Sequence, residues 1–464
     1  MRRIVILFAV FGSITALTAI ILFRPPAVVR PTLDAIGSQA VKRSETSFQI
    51  GNLGWNRLRG PNGRGVIEDD KIPLEWDDEK NIAWKVELPG IGSSSPVLSD
   101  DRVFVSACEF DKQSNGELAW IKRYTLAYDR TDGTELWKHE IDGILPEDPF
   151  RGNGLPEHGY ATNTATCDDA HVYFFLGKSG VYCFDLDCNE VWKKDVGRGS
   201  NPKGWGSCSS LILYDRLLIV NAAEESNAII AFDKLSGDEV WRIDSPSLHY
   251  AFSTPALVEV EDSFELVFVL VGEVWGLNPA TGKLLWYAQT PMAGNVSPTV
   301  LIEKDLVYCF GGYRSVGSIC VQAGGRGDVT DSHVKWTSKL TSYVSSPILF
   351  KNRIYWIDSK SIYYCQDAST GDLIARGRSQ SLGGPQPVYA SVLAINGKIV
   401  LQSRHEGVLV MEANEDMTLL HQNQTKDTST ANATPAADNG QLFLRSDDYL
   451  ICVAAGSEAG EENN

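Results

Sequence analysis

Residues 229–241 read IIAFDKLSGDEVW, and versions of this string recur to the end of the chain. The first half alternates, with Ile230 and Phe232 on one side and Ile229 and Ala231 on the other, the pattern of a half-buried strand. Asp233 can bond its own backbone ahead and open a turn, and Gly237 can take the left-handed conformation that ends it. Val240 and Trp241 then begin a returning strand. Related strings are TLAYDRTDGTELW at 125–137, EVWGLNPATGKLLW at 273–286 and YYCQDASTGDLIA at 363–375. The turn opens on Asp129, Asp185, Asp233, Asn278, Asp367 and Glu412. Four positions later stand Gly133, Asn189, Gly237, Gly282, Gly371 and Asp416, residue types that tolerate positive φ.

A chain of 464 residues exceeds the size at which one compact core stops growing, so the self-similarity reads as a repeat array. Residues 82–88, IAWKVEL, resemble the returning Trp strand but lack the strands that precede it. Residues 441–455, QLFLRSDDYLICVAA, supply those earlier strands and then stop. Two incomplete, complementary ends predict a closed ring in which the first strand completes the last unit, leaving no exposed sheet edge. Units fall at about 94–140, 162–195, 206–244, 252–289, 295–339, 344–380, 389–424 and 430–455 plus 81–88, about 47 residues each, the length of four-stranded propeller blades. In units six and seven Ala375 and Leu420 align with the Trp position. The expected fold is an all-β, eight-bladed β-propeller of four-stranded blades closed by an N-terminal strand.

Small hydroxyl motifs open the units: Ser94-Ser95-Pro96, Ser253-Thr254-Pro255, Val296-Ser297-Pro298, Ser345-Ser346-Pro347 and Ala433-Thr434-Pro435. They suit the crowded inner strand, where their hydroxyls can bond neighbouring blades, and Pro at a strand's start sacrifices no ladder bond. Residues 4–23 form an apolar run behind Arg2 and Arg3, and about 20 helical residues at ~1.5 Å each match a hydrocarbon core of about 30 Å. Residues 1–24 are therefore expected to be an uncleaved signal anchor rather than a cleaved signal peptide, with the remainder exported to a periplasmic or extracellular side. Residues 25–50 read as a linker, 51–80 as an ordered lead-in that packs Trp55 on the body, 81–455 as the propeller, and 456–464 as a disordered acidic tail.

A net charge of −17 argues against a nucleic-acid partner. The nine cysteines include no Cys-x-x-Cys. Cys183, Cys320, Cys365 and Cys452 share one repeat position filled elsewhere by Ala127, Ala231 and Gly276, so buried, unpaired thiols are expected; Cys183 with Cys188 and Cys309 with Cys320 are the pairs to examine. No His spacing suggests zinc. Long connections at 142–160 and 197–206 place His158, Tyr160 and Trp205 at the channel mouth as candidate ligand-binding residues. Turns on the same face carry Glu224, Glu225 and Glu273 on one side and Arg314, Arg404 and Arg445 on the other, the latter a candidate anion-binding half-ring; most of these read as solvated turn charges. No catalytic or metal-binding residue is assigned.

The Ala/Cys-aromatic-Asp-x-x-x-Gly-x-x-x-Trp pattern, clearest before Trp137, Trp192, Trp241 and Trp286, resembles the repeat of pyrroloquinoline-quinone-type propellers. That family includes quinone-dependent alcohol and sugar dehydrogenases and the outer-membrane protein assembly lipoprotein. Its enzymes place an adjacent Cys-Cys disulfide over the quinone and use a catalytic Asp and a calcium site, whereas this chain has no adjacent cysteines and no matching Asp. The resemblance implies a membrane-anchored, non-catalytic scaffold with protein partners on the loop-bearing face and no bound cofactor. A diverged quinone-dependent oxidoreductase, with pyrroloquinoline quinone and calcium, is the alternative.

Overall fold

A computed structural model describes residues 28–31, 54–152, 154–313 and 316–456. The anchor at 1–24, most of the linker, Arg314 and all but the first residue of the tail lie outside them. Among the described residues no helix is long and apolar enough to cross a membrane. Among the described residues the strands form eight sheets, each built on four antiparallel strands. Blade 3 is typical: Ile212–Tyr214, Leu217–Ala222, Ala228–Asp233 and Glu239–Asp244 run from the channel outward.

Closure follows the sequence reading. Ile82–Glu87 pairs with Tyr449–Ala454, setting Trp84 opposite Cys452 and Val86 opposite Leu450. The final blade is thus completed by the first strand of the ring, and its edge is covered.

The repeat's Trp and Gly belong to different blades. Trp84, Trp137, Trp192, Trp241 and Trp336 donate Nε1–H to the carbonyls of Arg130, Leu186, Lys234, Pro279 and Ala368, each the residue after the next blade's turn opener. The indole lies on that turn's glycine: a Cβ added to Gly133, Gly237, Gly282 or Gly371 would come within 2.8 Å of the ring. Within its own sheet each Trp faces a small residue, Ala231 opposite Trp241 and Cys183 opposite Trp192. At Cys183, Cys320 and Cys452 the small residue lies opposite an indole, whereas Cys365 faces Ala375. All nine cysteines are free, including the pairs singled out above. Burial pushes the Cys183, Cys320 and Cys452 thiols up to about 12.

Two departures have local causes. Blade 5 replaces the tight outer turn by residues 323–333, which kept Trp336 out of the sequence pattern; Trp286 turns instead to Glu265 Oε2, 2.6 Å away. In blade 7 the turn is one residue longer, with the Glu412 amide reaching Thr418 where Asp233 reaches Asp238. His421, not Leu420, consequently faces the third strand, opposite Val410. Blade 6 has no Trp to offer blade 7, but Tyr355 donates its hydroxyl to the Ala413 carbonyl at 3.0 Å, the residue after Glu412.

The hydroxyl ring is a hydrogen-bonded girdle. Backbone amides of Ser95, Thr164 and Ser210 donate to the side chains of Thr164, Ser210 and Thr254. Those of Thr299, Ser346, Ser391 and Thr434 donate to Ser346, Ser391, Thr434 and Ser95. Ser253 bridges to the Pro298 carbonyl.

The lead-in crosses the far end of the channel. The Trp55 and Asn56 carbonyls accept from Leu98 and Cys167 in blades 1 and 2. Arg59, with no exposed surface, donates to Pro347 O at 2.7 Å in blade 6. Val66–Ile67 then adds a parallel strand to Leu393–Ile395 of blade 7. The ring is a cup, floored at one end and open at the other.

Candidate functional site: the open mouth of the channel

The open end is a cavity of about 360 Å³ at the starts of the inner strands. Its wall carries Trp205, Phe252, Tyr313, Tyr343 and Tyr389 between the amides of Asn295, Gln386 and Asn432. The connection at 142–160 reaches over this rim and ends in a short helix, Leu155–His158. Four blades clamp that helix. Ser93 Oγ donates to the His158 carbonyl (2.8 Å), Asn432 Nδ2 to the Glu157 carbonyl (2.7 Å), and Arg404 Nη1 to Glu157 Oε2 (2.8 Å). His158 Nε2 lies 2.9 Å from the Trp205 carbonyl, and Nδ1 lies 2.7 Å from Thr162 Oγ1. A carbonyl can only accept, so Nε2 carries the proton and Nδ1 takes the hydroxyl's. Burial lowers this imidazole to about 4, which leaves it neutral.

The structure brings His158, Trp205 and Arg404 to this rim, with the Arg404 guanidinium 4.8 Å from the Tyr389 ring centre. Arg314 lies outside the described residues, and Tyr160 and Arg445 sit elsewhere. Tyr160 is buried beneath the loop, its hydroxyl donating to the Asp148 carbonyl at 2.6 Å. Arg445 has no exposed surface and donates to Ser94 O at 2.9 Å, joining blade 8 to blade 1; desolvation lowers it to about 10. Arg404 and Arg445 therefore do not share one open surface.

The acidic turns differ from their reading as solvated charges. Glu224 and Glu225 are 8% and 4% exposed, under the 197–206 connection, because Gly197 and Gly199 let that backbone close on the Glu225 carbonyl. Beside them lie two buried ion pairs, Arg123–Glu147 at 2.5 Å and Lys178–Asp148 at 3.4 Å. Sequence reasoning missed this cluster because its members come from one strand and three separate connections. Glu273 is also buried, held by Arg30 of the linker.

A calcium-bound quinone requires acidic ligands converging on one cation. Among the described residues the mouth wall has one carboxylate, Glu157, already engaged by Arg404. Among the described residues, no three His, Cys, Asp or Glu side chains are grouped to hold a metal. The residues do not fit that group.

Among solved structures, BamB from Moraxella catarrhalis is 12% identical, with 79% of this chain and 97% of that chain covered and a TM-score of 0.57. A europium-containing methanol dehydrogenase is 9% identical, with 84% and 89% covered and a TM-score of 0.55. A computationally designed protein, Ika8, is 14% identical, with 81% and 99% covered and a TM-score of 0.50. At such identities these likenesses establish the fold alone. No curated protein matches the chain by sequence. The protein-family profile described as outer membrane protein assembly factor BamB matches residues 122–375, more than half of the sequence. With its docked tryptophans and closed ring of blades, the chain belongs to that family of PQQ-like propellers.

Proposed function

We propose that the chain is an exported, membrane-anchored propeller that acts as a non-catalytic scaffold, holding protein partners on its mouth-bearing face. One observation carries this reading. The acid and the imidazole lining the mouth are already engaged, Glu157 with Arg404 and His158 with Thr162 and Trp205, while aromatic rings form much of the wall. Aromatic side chains are enriched where proteins bind proteins. Tyr313, 49% exposed, extends that character onto the rim. Membership of the assembly-factor family supports a partner that is itself a protein.

The test is photo-crosslinking in membranes of the source cell, from a probe at Tyr313 and from one at Leu373, an exposed position on another part of the ring. A recurrent adduct at Tyr313, absent at Leu373 and lost when residues 142–160 are shortened, is the expected result. Equal adducts at both positions would overturn it. So would alcohol- or sugar-driven dye reduction after adding quinone and calcium.

A further inference from the structure

The linker is not free between the apolar run and the propeller. Residues 28–31 lie against the mouth-side rim where blades 3 and 4 meet. Val29 N–H donates to Ser247 Oγ at 2.7 Å, and Ser245 Oγ donates to the Val29 carbonyl at 2.5 Å. Val28 packs on the apolar cluster of those blades. Arg30 Nε lies 3.0 and 2.9 Å from the two Glu273 carboxylate oxygens, and Nη2 contacts the same carboxylate. Its guanidinium stands 3.7 Å from the centre of the Tyr287 ring.

The receiving side is built for this cation. The Glu273 side chain is 3% exposed and is also fixed by Trp275 Nε1 at 2.8 Å. A carboxylate that deep requires a counter-charge, and Arg30 is its ion-pair partner.

We propose that residues 28–31 are a latch that turns the blade 3–4 side of the mouth-bearing face toward the membrane surface. This rests on the anchored reading above. Five peptide units from Phe23 to Val28 span at most about 18 Å. The headgroup layer on each side of the hydrocarbon is roughly 5–8 Å thick. The latched rim therefore sits within roughly 10–13 Å of the headgroups. Beyond the latch, the next described residue is Gly54, beside Asp438 at the floored end of the channel. Without the latch, the thirty-one units from Phe23 to Gly54 would allow a reach of about 110 Å and either face could meet the membrane.

The full chain in phosphatidylcholine vesicles carrying a headgroup nitroxide quencher tests this. A fluorescent amino acid replaces Gln289 on the latched rim or Glu87, its counterpart across the ring on blade 8. Expected is flotation with the vesicles and quenching at 289 well above that at 87. The double variant Arg30→Gln/Glu273→Gln, which removes the ion pair without stranding a carboxylate, should still float and unfold cooperatively but lose the difference. Equal quenching at the two positions in the unmodified chain, or a difference that survives the double variant, would overturn the latch while leaving anchoring intact. Failure to float would remove the anchored reading and the latch's role together.

Discussion

Gly282 shows how much of this fold rests on single atoms. It sits at a φ of +71° under Trp241, and a Cβ there would lie 2.7 Å from the indole. Gly384, at +73°, has open space where its Cβ would be. Gly384→Ala carries only the left-handed backbone cost, about 1 kcal/mol. Gly282→Ala adds displacement of a docked indole and should lose about 2–3 kcal/mol more, by analogy with overpacking. Urea midpoints of the two variants decide this; equal losses would mean that the Trp–Gly contact is loose. The buried acidic pair offers a second test. Burial pushes Glu224 up to about 7, and burial with the neighbouring Glu224 charge pushes Glu225 up to about 8, from an ordinary 4.5. Between about pH 4.5 and 8 the folded state therefore binds more protons than the unfolded chain. This pair's contribution to stability is full below 4.5 and is lost as pH rises through the folded values. Glu224→Gln/Glu225→Gln should flatten the decline in urea midpoint between about pH 5 and 8.5; an unchanged slope would reject the assignment.

At the scale of elements, the closing strand tests whether the ring depends on its ends. Trp84 is buried, bonded to Arg130 O, and stacked on Gly133 of blade 1. Trp84→Ala should cost about 3–5 kcal/mol. Deleting residues 81–88 should do something different in kind. It leaves Tyr449–Ala454 as a bare edge, and bare edges recruit other strands. Light scattering should then show oligomers, and a synthetic peptide of residues 81–88 should return the monomer by filling the gap. A stable monomer without the peptide would mean that the floor at 54–67 holds the ring closed alone. These elements were legible in the sequence because each carries a local signal: alternation, a turn opener, a glycine four positions on, and a Trp. In blade 6, where the signal lapsed, another atom took over the bond. Tyr355 replaces the missing indole of blade 6, and no spacing rule could have named it, since its partner Ala413 is 58 residues away.

At the scale of the whole molecule, legibility runs out where parts distant in sequence meet. The mouth's loops could be named from their lengths, and His158 and Trp205 on them line the cavity. Arg445 could not be told from a surface arginine, because its burial against Ser94 depends on ring closure across 351 residues. Glu273 is the same case, and it yields the sharpest test of long-range assembly. The Arg30–Glu273 pair joins positions 243 residues apart, and its carboxylate is buried while its guanidinium is 31% exposed. Arg30→Ala strands a buried carboxylate, a loss of 3–5 kcal/mol when both partners are buried; the arginine's partial exposure lowers this to about 2 kcal/mol. Glu273→Gln keeps a hydrogen-bond acceptor for Trp275 and strands only the partly solvated cation, so it should cost about 1 kcal/mol. If the pair acts as a unit, the double variant should cost no more than the larger single change, a coupling of about 1 kcal/mol in urea midpoints at constant salt. Strict additivity would mean that the two groups stabilise the ring independently, and the linker would then be an ordinary tether.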